Sequence, residues 1–166
     1  MTPLKLLPIT EFENRRKSVD ELYTHEMMIM MQNDRLEVLE KKKYSTELKE
    51  KGNAAFAKKR YIEAENFYSE AIELNIGSRP LWTNRAACRN TIKNFEDAIS
   101  DCDIALSIDP KCTQSTIEKG NAHLGLQQFD KAKECFESLR LLGEPGLADT
   151  RLKKLHDIQD EITTVA

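Results

Sequence analysis

Small and apolar residues return along this chain at an interval of 34 positions, and no run alternates in the manner of a half-buried strand. Gly52, Ala86 and Gly120 form one column, Tyr61, Phe95 and Phe129 a second, and Ala64, Ala98 and Ala132 a third. Tyr68, Cys102 and Phe136 form a fourth, and Ala71, Ala105 and Leu139 a fifth. Columns sharing one period mark an internal repeat. The first small residue and the alanine twelve positions later let two helices approach closely and cross, while the aromatic between them fills the wedge near the turn. The next alanine lies two turns further along the same face. Neither helix can bury its stripe alone, so successive pairs must stack. The pattern predicts helices over 46–58, 62–75, 79–92, 96–108, 113–126 and 130–141. Gly143, Pro145 and Gly146 then end the array.

A seventh helix is predicted over 147–163, with Leu147, Leu152, Leu155, Ile158 and Ile162 on one stripe. Asp149, Arg151, Lys154, Asp157 and Asp160 occupy the other face, as a helix covering the last apolar surface of a stack requires. Before the repeats, residues 1–17 read as a flexible segment with Pro3 and Pro8. A helix over 18–44 would start at Ser18, with Glu21 completing a capping box. That helix carries the block Met27, Met28, Ile29, Met30 and Met31. Two readings of the block stay open. The helix folds back to cap the first repeat, or the methionines form an adaptable surface for a partner or a second copy of the chain.

Composition narrows the function classes. The 166 residues are 32% charged and 40% hydrophobic, with 6 glycines and 5 prolines, which suits one helical domain and disfavours an all-β chain. A net charge of −3 gives no basic footprint for nucleic acid, and the runs Arg15-Arg16-Lys17 and Lys41-Lys42-Lys43 read as solvated helix faces. No segment approaches the ~20 apolar residues that cross a bilayer, so no membrane partner is expected. Residues 1–9 lack a signal-peptide core. Cys88, Cys102, Cys112 and Cys135 show no Cys-x-x-Cys spacing, which predicts free thiols and a cytoplasmic location. Catalysis has no visible seat either. There is no phosphate-cradling glycine loop, Ile29 stands where a His25-Glu26 metal motif needs its second histidine, and His123 occupies a packing position. The chain is expected to be no enzyme, with neither cofactor nor metal.

The columns match a known pattern. Leu48, Gly52, Tyr61, Ala64, Tyr68 and Ala71 resemble the tetratricopeptide repeat. Trp82, Ala86, Phe95, Ala98, Ala105 and Pro110 match it again, as do Gly120, Phe129, Ala132 and Phe136. The resemblance implies an all-α fold: a right-handed α-solenoid of three helix pairs (45–78, 79–112 and 113–146), with the N-terminal helix before it and the capping helix after it. It also implies a binding groove lined by the first helix of each pair, and an adaptor function of the co-chaperone kind.

Chaperone-binding members of the family grip the C-terminal carboxylate and acidic side chain of Hsp70 or Hsp90 tails with five residues. Lys49, Asn53 and Asn84 resemble three of them, but Gln114 and Glu118 stand where the third repeat should be basic. Each lost charged hydrogen bond removes about 1.5–3 kcal/mol, so a micromolar acidic tail would fall to roughly millimolar or weaker. Phe56, Asn90, Ile117, Asn121 and Leu124 are the other expected groove residues, suited to an extended peptide or a client helix, with Glu118 able to accept a basic side chain. Self-association through the N-terminal helix is the competing partner assignment. The stretches 48–57, 111–113 and 119–124 are similar to a family member whose implied role is cytoplasmic assembly of axonemal dynein arms.

Overall fold

The computed structural model describes residues 9–165, with the side chains of residues 9–22, 163 and 165 excepted. All its elements are helices: α1 Ile9–Ala57, α2 Tyr61–Leu74, α3 Arg79–Thr91, α4 Phe95–Ile108, α5 Thr113–Gly125, α6 Phe129–Leu141 and α7 Pro145–Val165. The chain divides into two units, Met1–Lys41 and Lys42–Ala166. The expected flexible segment over 1–17 lies outside the described residues as far as residue 8, and from Ile9 onward it is helical. Ser18 is therefore inside α1 and not at its cap. The helix over 18–44 and the first repeat helix are one element, because neither glycine nor proline occurs between residues 9 and 51 to stop it. In the first unit, the side chains from Met27 to Met31 are exposed by 43% to 68%.

The second unit is the right-handed α-solenoid. The last turns of α1 pack with α2, α3 with α4 and α5 with α6, and α7 covers α6. Ser45 ties the first pair together by donating its hydroxyl to the Ala71 carbonyl at 2.8 Å. Leu155 and Ala148 of α7 are buried against Leu139 and Phe136, which closes the last apolar face. The helix starts two residues earlier than its apolar stripe because Pro145, lacking an N–H, is tolerated in a first turn.

The columns explain the crossings. A Cβ added at Gly52 would lie 2.6 Å from Cε1 of Tyr68, and one at Gly120 would lie 2.4 Å from Cε1 of Phe136. These ring faces rest directly on the opposing backbone. In the middle repeat both columns change together: Ala86 stands for glycine, Cys102 stands for the aromatic ring, and both are fully buried in one cluster. Extra volume on one helix is matched by lost volume on the other, as close packing demands.

A second 34-residue period lies in the backbone. Lys59, Lys93 and Gln127 adopt the left-handed conformation (φ 59°, 67° and 57°), and Gly143 (φ 86°) does so after α6. Each is followed by a residue whose N–H reaches back five positions: Arg60 to Ala55 O, Asn94 to Arg89 O, Gln128 to His123 O and Glu144 to Leu139 O. That bond and its inner partner satisfy the last carbonyls of the helix and reverse the chain.

The paired change in the middle repeat generates a test. Cys102→Phe alone should destabilise the chain by about 1–3 kcal/mol through overpacking. Adding Ala86→Gly should recover part of that loss despite the helix penalty of glycine. Urea unfolding of both variants measures it; a double variant no more stable than Cys102→Phe would contradict the packing account.

Candidate functional site

Three first helices carry the expected groove residues, and polar bonds link them side by side. Asn84 on α3 donates its amide to Oδ1 of Asn53 on α1 at 3.2 Å. The same oxygen accepts from the Tyr68 hydroxyl at 2.8 Å, while the Asn53 amide donates to Glu50 at 3.2 Å. Tyr68 thus fixes which way the Asn53 amide faces. Lys49 lies one turn before Asn53, with its ammonium 3.3 Å from Glu50. Asn53, Asn84 and Tyr68, together with Phe56, Ala57 and Ala87, line a mostly apolar cavity of about 230 Å³. Phe56 is held edge-on against Tyr61 at 5.2 Å.

The α5 end differs in sign. Glu118 accepts from Gln114 Nε2 at 2.7 Å and from Asn90 Nδ2 at 3.0 Å, and Asn90 also reaches the Glu118 carbonyl at 2.9 Å. Among the described residues no cation pairs with this carboxylate. Lys119 is committed to Asp103 on α4 at 2.7 Å. Arg85 and Arg89 are committed as well: Arg85 grips Asp101 with two bonds of 2.8 and 2.9 Å, and Arg89 bridges Asp101 and Glu65 at 3.0 and 2.7 Å. Asp101 is 1% exposed, and this network locks α2, α3 and α4 together. On the α5 side the hydroxyls of Thr83 and Ser115, 2.7 Å apart, do the same for α3 and α5.

Several expected residues fall elsewhere. Ile117 does not line the groove; it is 4% exposed and packs with Phe136 and Leu139, because its position on α5 faces α6. Leu124 leans on the same cluster, half-buried. Asn121 is half-buried on α5, and Asn90 serves as a clamp on Glu118 with its own Oδ1 buried and unpartnered. Sequence reading missed the groove role of Tyr68, which stands in a core column yet turns its hydroxyl toward Asn53. It also missed the Arg85–Asp101–Arg89 network. The signal was an aspartate three positions after Ala98, on the buried face of α4, opposite two arginines four apart on α3.

The tetratricopeptide repeat model matches residues 50–75 and 114–139. The human Tetratricopeptide repeat protein 12 is 32% identical over 142 residues, covering 83% of this chain and 20% of that protein. Heat shock protein STI1 of Saccharomyces cerevisiae is 34% identical over 115 residues, covering 68% of this chain and 20% of that protein. Among solved structures, the first TPR of Spaghetti (RPAP3), bound to HSP90 peptide SRMEEVD, superposes with a TM-score of 0.66 at 30% identity, covering 72% of this chain and 95% of that one. The chain belongs to the tetratricopeptide repeat family. It spans about a fifth of the length of each of these two curated relatives. No helix among the described residues is long and apolar enough to cross a membrane.

Burial beneath the groove has a pH signature. It pushes the Tyr68 phenol from 10.0 to about 12, helped by the nearby Cys88 and opposed by the neighbouring Asn84 amide. Burial also pushes the Cys88 thiol from 9.0 to about 12, with Glu65 adding to it. Both are acids held neutral by the fold, so the unfolded chain gives up these protons first. Their contribution to stability is complete below about pH 9 and is lost as pH rises toward 12. Burial raises the Cys102 and Cys135 thiols in the same way, so the melting temperature should hold level from about pH 7 to 8.5 and fall from about pH 9 upward, with Cys88→Ala making the fall shallower at an unchanged onset. A Cys88→Ala profile that falls as steeply as wild type above about pH 9 would contradict the assignment.

Proposed function

We propose that residues 45–146, closed by the helix after them, form a docking module for an extended peptide, and that the module serves a co-chaperone-like adaptor in the cytoplasm. The observation that carries the reading is the Asn53–Asn84 amide pair, oriented by Tyr68, beside Lys49 and an apolar cavity. Two oriented amides and an ammonium make a seat for a carboxylate, and the cavity takes an apolar side chain next to it. The RPAP3 domain bound to an HSP90 peptide supports this use of the groove. Gln114 and Glu118 set a limit: an Hsp70 or Hsp90 tail, with its acidic side chains, is held weakly here. The likeness to Tetratricopeptide repeat protein 12 extends the reading to cytoplasmic assembly of axonemal dynein arms, with a client segment as the ligand. Binding rather than catalysis is the activity.

The test is a fluorescence titration with a short peptide of neutral side chains and a free C-terminus. Lys49→Ala and Asn84→Ala should each weaken binding about tenfold or more, the worth of one charge-assisted hydrogen bond. Amidating the C-terminus should do the same to wild type. Equal affinity for acid and amide would overturn the seat.

A second reading is supported by the exposure of Met27 to Met31 together with Leu36 and Leu39, both more than half exposed. A surface of that kind buries itself in a self-associated scaffold. Size-exclusion chromatography over a hundredfold concentration range should then show a shift to a larger species, abolished by Met28→Glu with Met31→Glu. A constant monomer would remove this reading.

A further inference from the structure

We infer that the groove selects a C-terminal peptide with a lysine or arginine among its last three residues, and that Glu118 is the residue that sets this preference. The inference rests on the carboxylate seat at Lys49, Asn53 and Asn84. Its own ground is the fixed charge at the far end of the groove. Two amides aim the Glu118 carboxylate: Gln114 Nε2 at 2.7 Å to one oxygen and Asn90 Nδ2 at 3.0 Å to the other. Amide donors orient a carboxylate without neutralising it. Along the groove Lys49 already has Glu50 beside it at 3.3 Å, while Lys119, Arg85 and Arg89 are held by Asp103 and Asp101 on α4. Of the three groove charges, Lys49 is positive and already paired, and Glu50 and Glu118 are negative.

Geometry sets the reach. α3 and α5 pack directly, and Asn90, which holds Glu118, is about 9 Å along α3 from Asn84 at ~1.5 Å per residue, so Glu118 lies on the order of 10 Å from the Asn53–Asn84 pair. Two to three extended residues cover that distance at about 3.3 Å each. A ligand whose terminal carboxylate sits on the amides places the side chain of one of its last residues against Glu118. A cation there forms a charge-assisted hydrogen bond with a carboxylate that is already desolvated in part and oriented. An acidic side chain in the same place meets a like charge that cannot swing away.

Three peptides with free C-termini, identical except for basic, neutral or acidic side chains at the second and third positions from the end, test this by fluorescence anisotropy. The basic peptide should bind about tenfold tighter than the neutral one, and the acidic one about tenfold weaker, at 0.15 M salt. Glu118→Gln, its helicity checked by circular dichroism, should erase the difference between basic and neutral peptides, and Glu118→Lys should reverse the order. A basic preference that survives Glu118→Gln would overturn the inference, since it would come from the overall charge of the chain. So would equal binding of acidic and basic peptides. If amidation leaves all affinities unchanged while the Glu118 dependence holds, the carboxylate seat fails and the charge selection stands.

Discussion

Everything in the solenoid depends on one contact made three times: a ring or thiol on the second helix of a pair resting on a small residue of the first. Tyr68 on Gly52 and Phe136 on Gly120 leave no room for a single added carbon. That closeness fixes the crossing of each pair, and the 34-residue interval hands the same crossing to the next pair. The middle repeat obeys the rule with smaller pieces on one side and larger on the other, Cys102 on Ala86. The constraint concerns summed volume more than residue identity, which is why the column tolerates a cysteine.

Stacking brings three first helices side by side, and the polar groups on them acquire partners that no helix could supply alone. Asn53 and Asn84 meet because their helices are neighbours, and Asn90 reaches Glu118 for the same reason. Behind them the Arg85–Asp101–Arg89 network and the Thr83–Ser115 pair lock the angle between repeats. Such a buried cluster specifies one arrangement more than it adds net stability. A rigid back and an oriented polar front make a surface that binds with little reordering, which favours affinity. The groove's character then follows from its charges, the Lys49–Glu50 pair at one end and, at the other, Glu118, which has no cation beside it among the described residues.

The helices after residue 57 and their turns were legible in the sequence to within about two residues, because a period repeated in five columns overrides local ambiguity. The N-terminal boundary was not. Ser18 with Glu21 has the residues of a cap, but a cap needs an interruption before it, and the run from Ile9 onward has none. The left-handed turn residues were hidden because Lys59, Lys93 and Gln127 have side chains that avoid this conformation; the closing bonds, not the residue type, hold them there. In the groove, positions on the first helices could be assigned, but orientation around each helix could not. Ile117 and Glu118 are neighbours in sequence yet point about 100° apart around the helix, one into the core against Phe136 and the other toward Gln114 and Asn90. Tyr68 was legible as core and not as groove, since its ring is buried while its hydroxyl orients Asn53.

The central claim is that the face built by α1, α3 and α5 is where a peptide docks. Nuclear magnetic resonance of the isotope-labelled chain with a saturating free-acid peptide tests it most directly, because side-chain amide signals report each asparagine separately. The account predicts that the largest shifts fall on the Asn53 and Asn84 side-chain amides and on the backbone of Phe56 and Ala87. Shifts confined to Met27–Met31, or to the second helices around Leu141, would contradict it.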